Sequence, residues 1–249
     1  MTHTCERMQL GNFNPYQESL HVRRYEYAGR YVGGKSVLDI ACGTGFGCDM
    51  LAKAGAHSVV GLDLDSSAID YARRNYSADQ IRFDTGDAQN LAGVAEASFD
   101  VVISFETIEH LPDVDRYLSE LRRVLKPGGM VMISTPDRRL ESTLYPLRGK
   151  PNNPFHLREY TRREFVRAVS AGFEPLELLG QSFVSRGLAA WPVQVAMKAG
   201  CYALRRFGAY QLIDRMYHSP LRTAVEPADA HPLSIASYWL IRAKFKETT

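Results

Sequence analysis

The 249-residue chain suits one large domain, or one domain with an embellishment, and that size buries about three quarters of the unfolded surface. Its apolar fraction of 45% and charged fraction of 23% are those of a soluble globular protein. The four cysteines (Cys5, Cys42, Cys48, Cys201) form no CxxC pair and no even-spaced framework, which excludes a disulfide scaffold and makes a reduced, cytoplasmic setting the expectation.

Net charge is +2 but uneven. Residues 1–136 carry 13 Lys/Arg against 18 Asp/Glu, a balance of −5, and residues 137–249 carry 17 against 10, a balance of +7. The basic half is either a solvated surface or a face for an anionic partner. No basic region followed by an apolar core is visible in Met1–Gln17, and the longest uncharged apolar stretch, Gly187–Met197, is too short to span a bilayer.

In chain order, short apolar runs alternate with helical patterns from residue 35 onward, which predicts parallel βαβ units. Strands are expected at Ser36–Ile40, Ser58–Leu62, Ile81–Phe83, Phe99–Phe105 and Met130–Ser134, with helices at Gly45–Ala54, Ser66–Asn75 and Val114–Leu125. Lys126-Pro127-Gly128-Gly129 is a helix stop, and Thr161-Arg-Arg-Glu164 is a capping-box pattern opening a helix to about Ala171. Glu174–Leu179 and Ile235–Phe245 read as further strands. The expected organisation is a single domain. Residues 1–34 form an N-terminal helical lid, 35–180 a cofactor-binding core, 181–234 an inserted lid and 235–249 a closing strand.

In a doubly wound α/β sheet the ligand sits at the carboxyl ends of the strands. The first such end reads VLDIACGTGFG (37–47), with glycines at 43, 45 and 47. A P-loop is excluded because no Gly-Lys-Ser/Thr follows. A dinucleotide site wants G-x-G-x-x-G and an acid about 20 residues on; Asp63 lies 20 after Gly43, but the spacing is G-x-G-x-G. Asp39 beside the turn would repel a pyrophosphate and suit the ammonium of a methionine moiety.

Together with GLDLD (61–65), GDA (86–88), FDVVISFETIEHL (99–111) and LKPGG (125–129), in this order, the sequence resembles the class I S-adenosylmethionine-dependent methyltransferases. The resemblance runs from about residue 21 to 180, with the closing strand near 235–246. It implies a Rossmann-like seven-stranded sheet, mostly parallel with an antiparallel last strand, and S-adenosylmethionine as cofactor, S-adenosylhomocysteine being the product. By it, Asp39, Ala41 and the Gly43–Gly45 turn hold the methionine half. Asp63 accepts from the ribose hydroxyls, Leu64 packs on the adenine, Asp87 and Ala88 meet its amine and ring, and Phe105 lines the cofactor. In HVRRY (21–25), Arg24 and Tyr25 are expected to close over it.

Methyl transfer is an in-line displacement from a sulfonium, so catalysis is mostly alignment, plus a base where the acceptor is a hydroxyl. Glu106-Thr-Ile-Glu109-His110 would share one face of a helical turn past the fourth strand, and His156 and Glu159 lie in the loop NPFHLREYT (153–161). This ExxEH pattern with a later histidine is similar to two methyltransferase groups that hold a divalent metal, the small-RNA terminal 2′-O-methyltransferases and the quinone-pathway catechol O-methyltransferases. By that resemblance Glu106, Glu109, His110 and His156 ligate Mg²⁺ or a similar ion. A metal-free base built on Glu109, His110 and His156, and a purely structural role, stand beside it.

Arg138, Arg139, Arg148, Lys150, Arg158, Arg162 and Arg163 surround the loop. Arg186, Lys198, Arg205, Arg206, Arg215 and Arg222 decorate the expected lid with Trp191, Tyr202, Phe207 and Tyr210. Arginine forks suit an acceptor bearing phosphate or carboxylate, such as a sugar phosphate or an acidic natural product. A peripheral membrane contact through the lid is a second expectation. Nucleic acid is disfavoured because no RNA-binding module is recognisable. The expected function is O-methylation of a small acceptor. The alternatives are small-molecule N-methylation and a non-catalytic S-adenosylmethionine-binding regulator. The sequence leaves the oligomeric state open.

Overall fold

Adjacent residues of the central strands face opposite cores. Val37, Val101, Ile103 and Met132 join one buried cluster, and Leu38, Val102, Val131 and Ile133 join another. A sheet covered on both faces demands apolar side chains of either parity, and this is why the strands read as continuous apolar runs. The computed structural model describes residues 15–142, 149–185, 224–228, 230 and 234–245.

The elements follow the expected alternation. They are α1 (Pro15–Gly29), β1 (Ser36–Ile40), α2 (Phe46–Lys53), β2 (Ser58–Asp63), α3 (Ser66–Asn75), β3 (Ile81–Thr85) and β4 (Phe99–Phe105). A 3₁₀ turn at Ile108–His110 leads to α4 (Val114–Val124), β5 (Leu125–Pro136), α5 (Arg138–Glu141) and α6 (Arg162–Ser170). β6 (Phe173–Ser185), β7 (Glu226–Pro227) and β8 (Ser234–Phe245) complete the sheet. Strand order is β3-β2-β1-β4-β5-β8-β6-β7, with β3 to β5 parallel and β8 antiparallel to both β5 and β6.

Local chemistry sets the helix starts. Asp65 caps α3 by accepting from the Ser67 amide at 2.7 Å, and Asp113 caps α4 by accepting from Arg116 at 2.9 Å. At α6 the Thr161–Glu164 capping box forms as its spacing predicts. α4 buries Tyr117, Leu118, Leu121 and Val124, one stripe at helical spacing.

Three features depart from the sequence expectation. Among the described residues the sheet has eight strands, because the two-residue β7, from within 181–234, pairs with Leu179 and Gly180. β6 continues to Ser185, since Phe183, Val184 and Ser185 find ladder partners on β8. And α1 is built into the core: it buries Leu20, Arg24, Tyr25, Tyr27 and Ala28. It is fastened to β6 by Gln181 Nε2 donating to the Leu20 carbonyl (3.2 Å), by Tyr16–Ser182, and by Tyr27 donating to Glu177 (2.6 Å). The side chains of 186–223, with the basic and aromatic residues of the expected lid, and Arg148 lie outside the described residues. Among the described residues no helix is long and apolar enough to cross a membrane.

Candidate active site

β1 and β4 are neighbours while their connections leave in opposite directions, so a crevice opens at their carboxyl ends. A cavity of about 370 Å³ fills it, within the ~300–1,000 Å³ of small-molecule sites. Of the residues assigned to the cofactor, Ala41, Gly43, Asp63, Leu64, Asp87, Ala88 and Phe105 line it, and so does Tyr25. Two lining residues at neighbouring strand tips, Ala41 (φ 58°) and Glu106 (φ 54°), hold the left-handed backbone that costs a non-glycine residue about 1 kcal/mol or more. Such conformations concentrate where a ligand must be approached closely.

Asp63, at the end of β2, accepts from the Gly43 amide (2.8 Å) and the Asp65 amide (2.9 Å). It thereby ties the glycine turn to the second strand. A carboxylate has about four acceptor sites, so the remainder can serve a ribose diol. Leu64, next in sequence, is 73% exposed on the cavity lip, where it offers an apolar surface to a ring bound in the cavity. The Asp87 carboxylate turns back onto the Gln89 amide (2.8 Å), setting the loop in which Ala88 meets the cavity.

Three expected cofactor residues stand behind the wall. Gly45 (φ 87°) makes the turn, and a Cβ there would lie 2.7 Å from Ala72 and 2.8 Å from Phe83. Asp39 is fully buried and reaches the cavity through Tyr25, whose hydroxyl donates to its two oxygens at 3.2 and 3.0 Å. Cys48 Sγ adds a third contact at 3.3 Å. Burial pushes the Asp39 carboxyl up to about 7, against the hydrogen bonds from Cys48 and Tyr25. The third glycine explains itself here: a Cβ on Gly47 would overlap the Tyr25 ring. Its role is to admit a tyrosine 22 residues upstream.

Arg24 likewise does not close over the cavity. It is fully buried and its Nη1 lies 2.6 Å from Glu106 Oε1 and 3.0 Å from Ser134 Oγ, with the Tyr238 ring 5.0 Å away. Ser134 Oγ in turn donates to Glu106 (2.7 Å). Glu106 Oε1 is thus held in a scaffold ion pair, and Glu106 is not among the residues whose ligand atoms converge in the cluster described next.

The other three members of the expected metal set do converge. One ligand atom each of Glu109, His110 and His156 lies within 4.8 Å of the other two. The loop carrying His156 docks on the 3₁₀ turn through the Leu157 and Arg158 amides, which donate to the Glu109 carbonyl at 2.9 and 3.1 Å. The two imidazoles meet edge to face, centroids 4.9 Å apart. Each is oriented through Nδ1: His110 donates to the Phe155 carbonyl (3.0 Å) and His156 to the fully buried Glu159 (2.8 Å). This leaves each neutral ring's lone pair on Nε2, where His156 faces the Asn153 amide at 3.0 Å. Glu109 is 1% exposed; Thr135 donates to Oε2 (3.1 Å), and Oε1 has no hydrogen-bond partner among the described residues. Burial, then the proximity of Glu106, pushes its carboxyl well above the carboxylate range. A buried carboxyl grouped with two imidazoles held through Nδ1 is a donor set suited to a divalent cation, which at His156 Nε2 would replace the Asn153 amide.

A second pocket of about 140 Å³ adjoins, lined among others by His21, Glu106, Glu109, Glu141, His156 and Tyr238. Reading the sequence overlooked His21, Thr135, Glu141 and Tyr238. Only His21 gave a signal, lying one helical turn before Tyr25.

A glycine turn, an acid at each of two strand tips and a crevice at the switch point define a nucleoside-binding α/β protein. Residues 38–133 match a family model described as "Methyltransferase domain". The chain is 31% identical over 191 residues to a "Ubiquinone biosynthesis O-methyltransferase" of Aromatoleum aromaticum, covering 69% of this chain and 78% of that one. It is 40% identical over 166 residues to a "Probable S-adenosylmethionine-dependent methyltransferase" of Mycolicibacterium smegmatis, covering 66% of this chain and 62% of that one. Similar proteins of Mycobacterium tuberculosis are matched over 51% of their length, so the chain spans between half and two thirds of these relatives. A Mesorhizobium loti S-adenosylmethionine-dependent methyltransferase shares the fold with a TM-score of 0.60 at 17% identity, over 92% of this chain and 99% of that one. The chain belongs to the class I S-adenosylmethionine-dependent methyltransferases.

Proposed function

We propose that this protein transfers the methyl group of S-adenosylmethionine to a hydroxyl of a small acceptor. The observation that carries the reading is that two cavities meet. The cofactor-sized one and the acceptor-sized one share His21, Glu106 and His110 in their walls, so a sulfonium in the first can point its methyl into the second. Alignment of this kind is the main source of rate in a transfer that consumes charge. Asp63 and the Gly43 turn hold the adenosine and methionine halves, and Leu64 covers the adenine.

Glu109, His110 and His156 would hold a divalent ion, whose chemistry would be to polarise the acceptor hydroxyl and ease loss of its proton. Their outer partners Glu159, Phe155 and Thr135 keep the donor atoms aimed whether or not the ion is present. The described lining of the acceptor pocket contains three glutamates and no lysine or arginine. Such a lining disfavours an anionic reacting end, in keeping with the hydroxyl of a sugar- or natural-product-like molecule.

The deciding experiment incubates the protein with methyl-labelled S-adenosylmethionine and fractionated cell extract, with EDTA or with added Mg²⁺ or Mn²⁺. Label should enter a small-molecule fraction as a methyl ether, in the metal-supplemented arm only. Equal labelling in chelator would remove the metal, and label in amines or in no fraction would overturn the O-methyl reading.

A further inference from the structure

Helix α1 brings a third histidine to the junction of the two cavities. His21 lines both, a place it shares with only Glu106 and His110 among the described residues. Those two are engaged: Glu106 by Arg24 and Ser134, His110 at Nδ1 by the Phe155 carbonyl. The His21 ring makes no hydrogen bond among the described residues. The ring is partly exposed and lines both cavities, so a molecule bound at their junction can meet it.

The backbone beneath it is fixed. The Leu20 carbonyl takes hydrogen bonds from Arg24 Nε (3.3 Å) and Gln181 Nε2 (3.2 Å), and the next turn is pinned through Arg24–Glu106 and Tyr25–Asp39. A side chain on so constrained a turn is held where a reacting group needs it. Burial at the cavity wall, with Arg24 beside it, also lowers the His21 pKa below its usual range, so the resting ring is neutral.

Resting on the O-methyltransferase reading above, we propose that His21 is a catalytic residue: the general base that receives the acceptor's proton at the transfer point. Committing Glu109, His110 and His156 to a cation leaves their lone pairs unable to take that proton, and His21 supplies the missing acceptor. As the acceptor oxygen–carbon bond forms, the carbon–sulfur bond breaks and its electron pair stays on sulfur. The hydroxyl proton passes to a His21 ring nitrogen, later to water.

The test works whatever the acceptor is. Protein labelled with ¹⁵N in its histidine rings is saturated first with S-adenosylhomocysteine and, in a parallel sample, with S-adenosylmethionine, with His21→Gln assigning the resonance. The two ligands differ only by the methyl and its charge. The His21 ring signals should differ between the complexes, while those of the distant His57 should not. Identical His21 signals in both complexes overturn the proposal. If neither ligand moves any signal, the methyltransferase reading itself fails. In the extract assay, His21→Gln should keep its affinity for S-adenosylhomocysteine within about twofold while label transfer falls ~100-fold or more, as loss of a general base does. Undiminished transfer would likewise sink it.

Discussion

The Arg24 guanidinium and the Glu106 carboxylate meet at 2.6 Å across the seam between α1 and the tip of β4, and they are unequally buried: 1% of the arginine side chain is exposed against 16% of the glutamate. Removing one partner of a buried pair leaves the other charge uncompensated, at about 3–5 kcal/mol. The inequality gives the sign of a comparison. Glu106→Gln strands a fully buried cation, whereas Arg24→Met leaves a carboxylate that can still face the cavity and keeps the apolar stem. Urea unfolding should find Glu106→Gln the more destabilising of the two. Equal losses would mean that the pair contributes by packing alone.

Gly47 and Tyr25 supply a second test. In a helix, Gly→Ala ordinarily stabilises by about 1 kcal/mol. Here the new methyl would overlap the Tyr25 ring, and that ring is also packed on Phe46 and Phe105 at 5.3 and 5.1 Å. Gly47→Ala should therefore destabilise, by roughly 1–3 kcal/mol as overpacking does. In a Tyr25→Ala background the same change should regain its ordinary benefit. A double-mutant cycle with additive effects would show that the tyrosine is not why position 47 is glycine.

Asp63 bears on binding and architecture at once. Loss of hydrogen bonds to a charged acceptor is worth about 1.5–3 kcal/mol, so Asp63→Ala should weaken S-adenosylhomocysteine binding at least tenfold by calorimetry. It should also lower stability, since the Gly43 and Asp65 amides lose their shared acceptor. Unchanged affinity would mean the ribose is held elsewhere.

Much of this site could be read from the chain alone, and the division is physical. Strand tips are legible because each apolar run must end where the sheet ends, and the family resemblance then assigns Asp63, Leu64 and Asp87 at those tips. Cap chemistry is local, so Thr161 and Glu164 announce the start of α6. What a residue's own neighbourhood cannot reveal is its distant partner. Arg24 and Glu106 are 82 positions apart in sequence, and the family resemblance that points each toward a ligand does not show that the two pair with each other. Asp39 looks like an open acid at a strand end, yet Tyr25 and Cys48 cover it. His156 was legible as a candidate, but its pairing with Glu159 and its stacking on His110 come from how the loop docks on Glu109.

The histidine pair makes a prediction that separates metal from scaffold. Outer-shell partners of ligating histidines typically carry 10- to 100-fold in metal affinity. Mn²⁺ titrated into the protein, followed by paramagnetic relaxation, should bind at one site that His156→Ala abolishes. Glu159→Gln should weaken the site by about tenfold or more while leaving S-adenosylhomocysteine binding intact. Mn²⁺ binding indifferent to both changes would assign the cluster to structure.

Stability should fall with pH because of Asp39. Its carboxyl titrates near 7 in the folded chain, raised first by burial, against 3.8 when unfolded. Below 3.8 both states hold the proton and the group is neutral to stability. Between 3.8 and 7 the unfolded chain has released it and the folded one has not. Protons bound by the native state then exceed those of the unfolded state, and the slope of unfolding free energy with pH is negative. The full penalty is reached above 7, where the buried carboxylate is charged. Asp39→Asn keeps an oxygen to accept from Tyr25 and does not titrate. The difference in stability between variant and native chain should therefore grow in the variant's favour from pH 4 to pH 7 and level off beyond. A difference that stays constant across that window would mean Asp39 remains ionised in the fold, stabilised by Tyr25 and Cys48 more than burial opposes it.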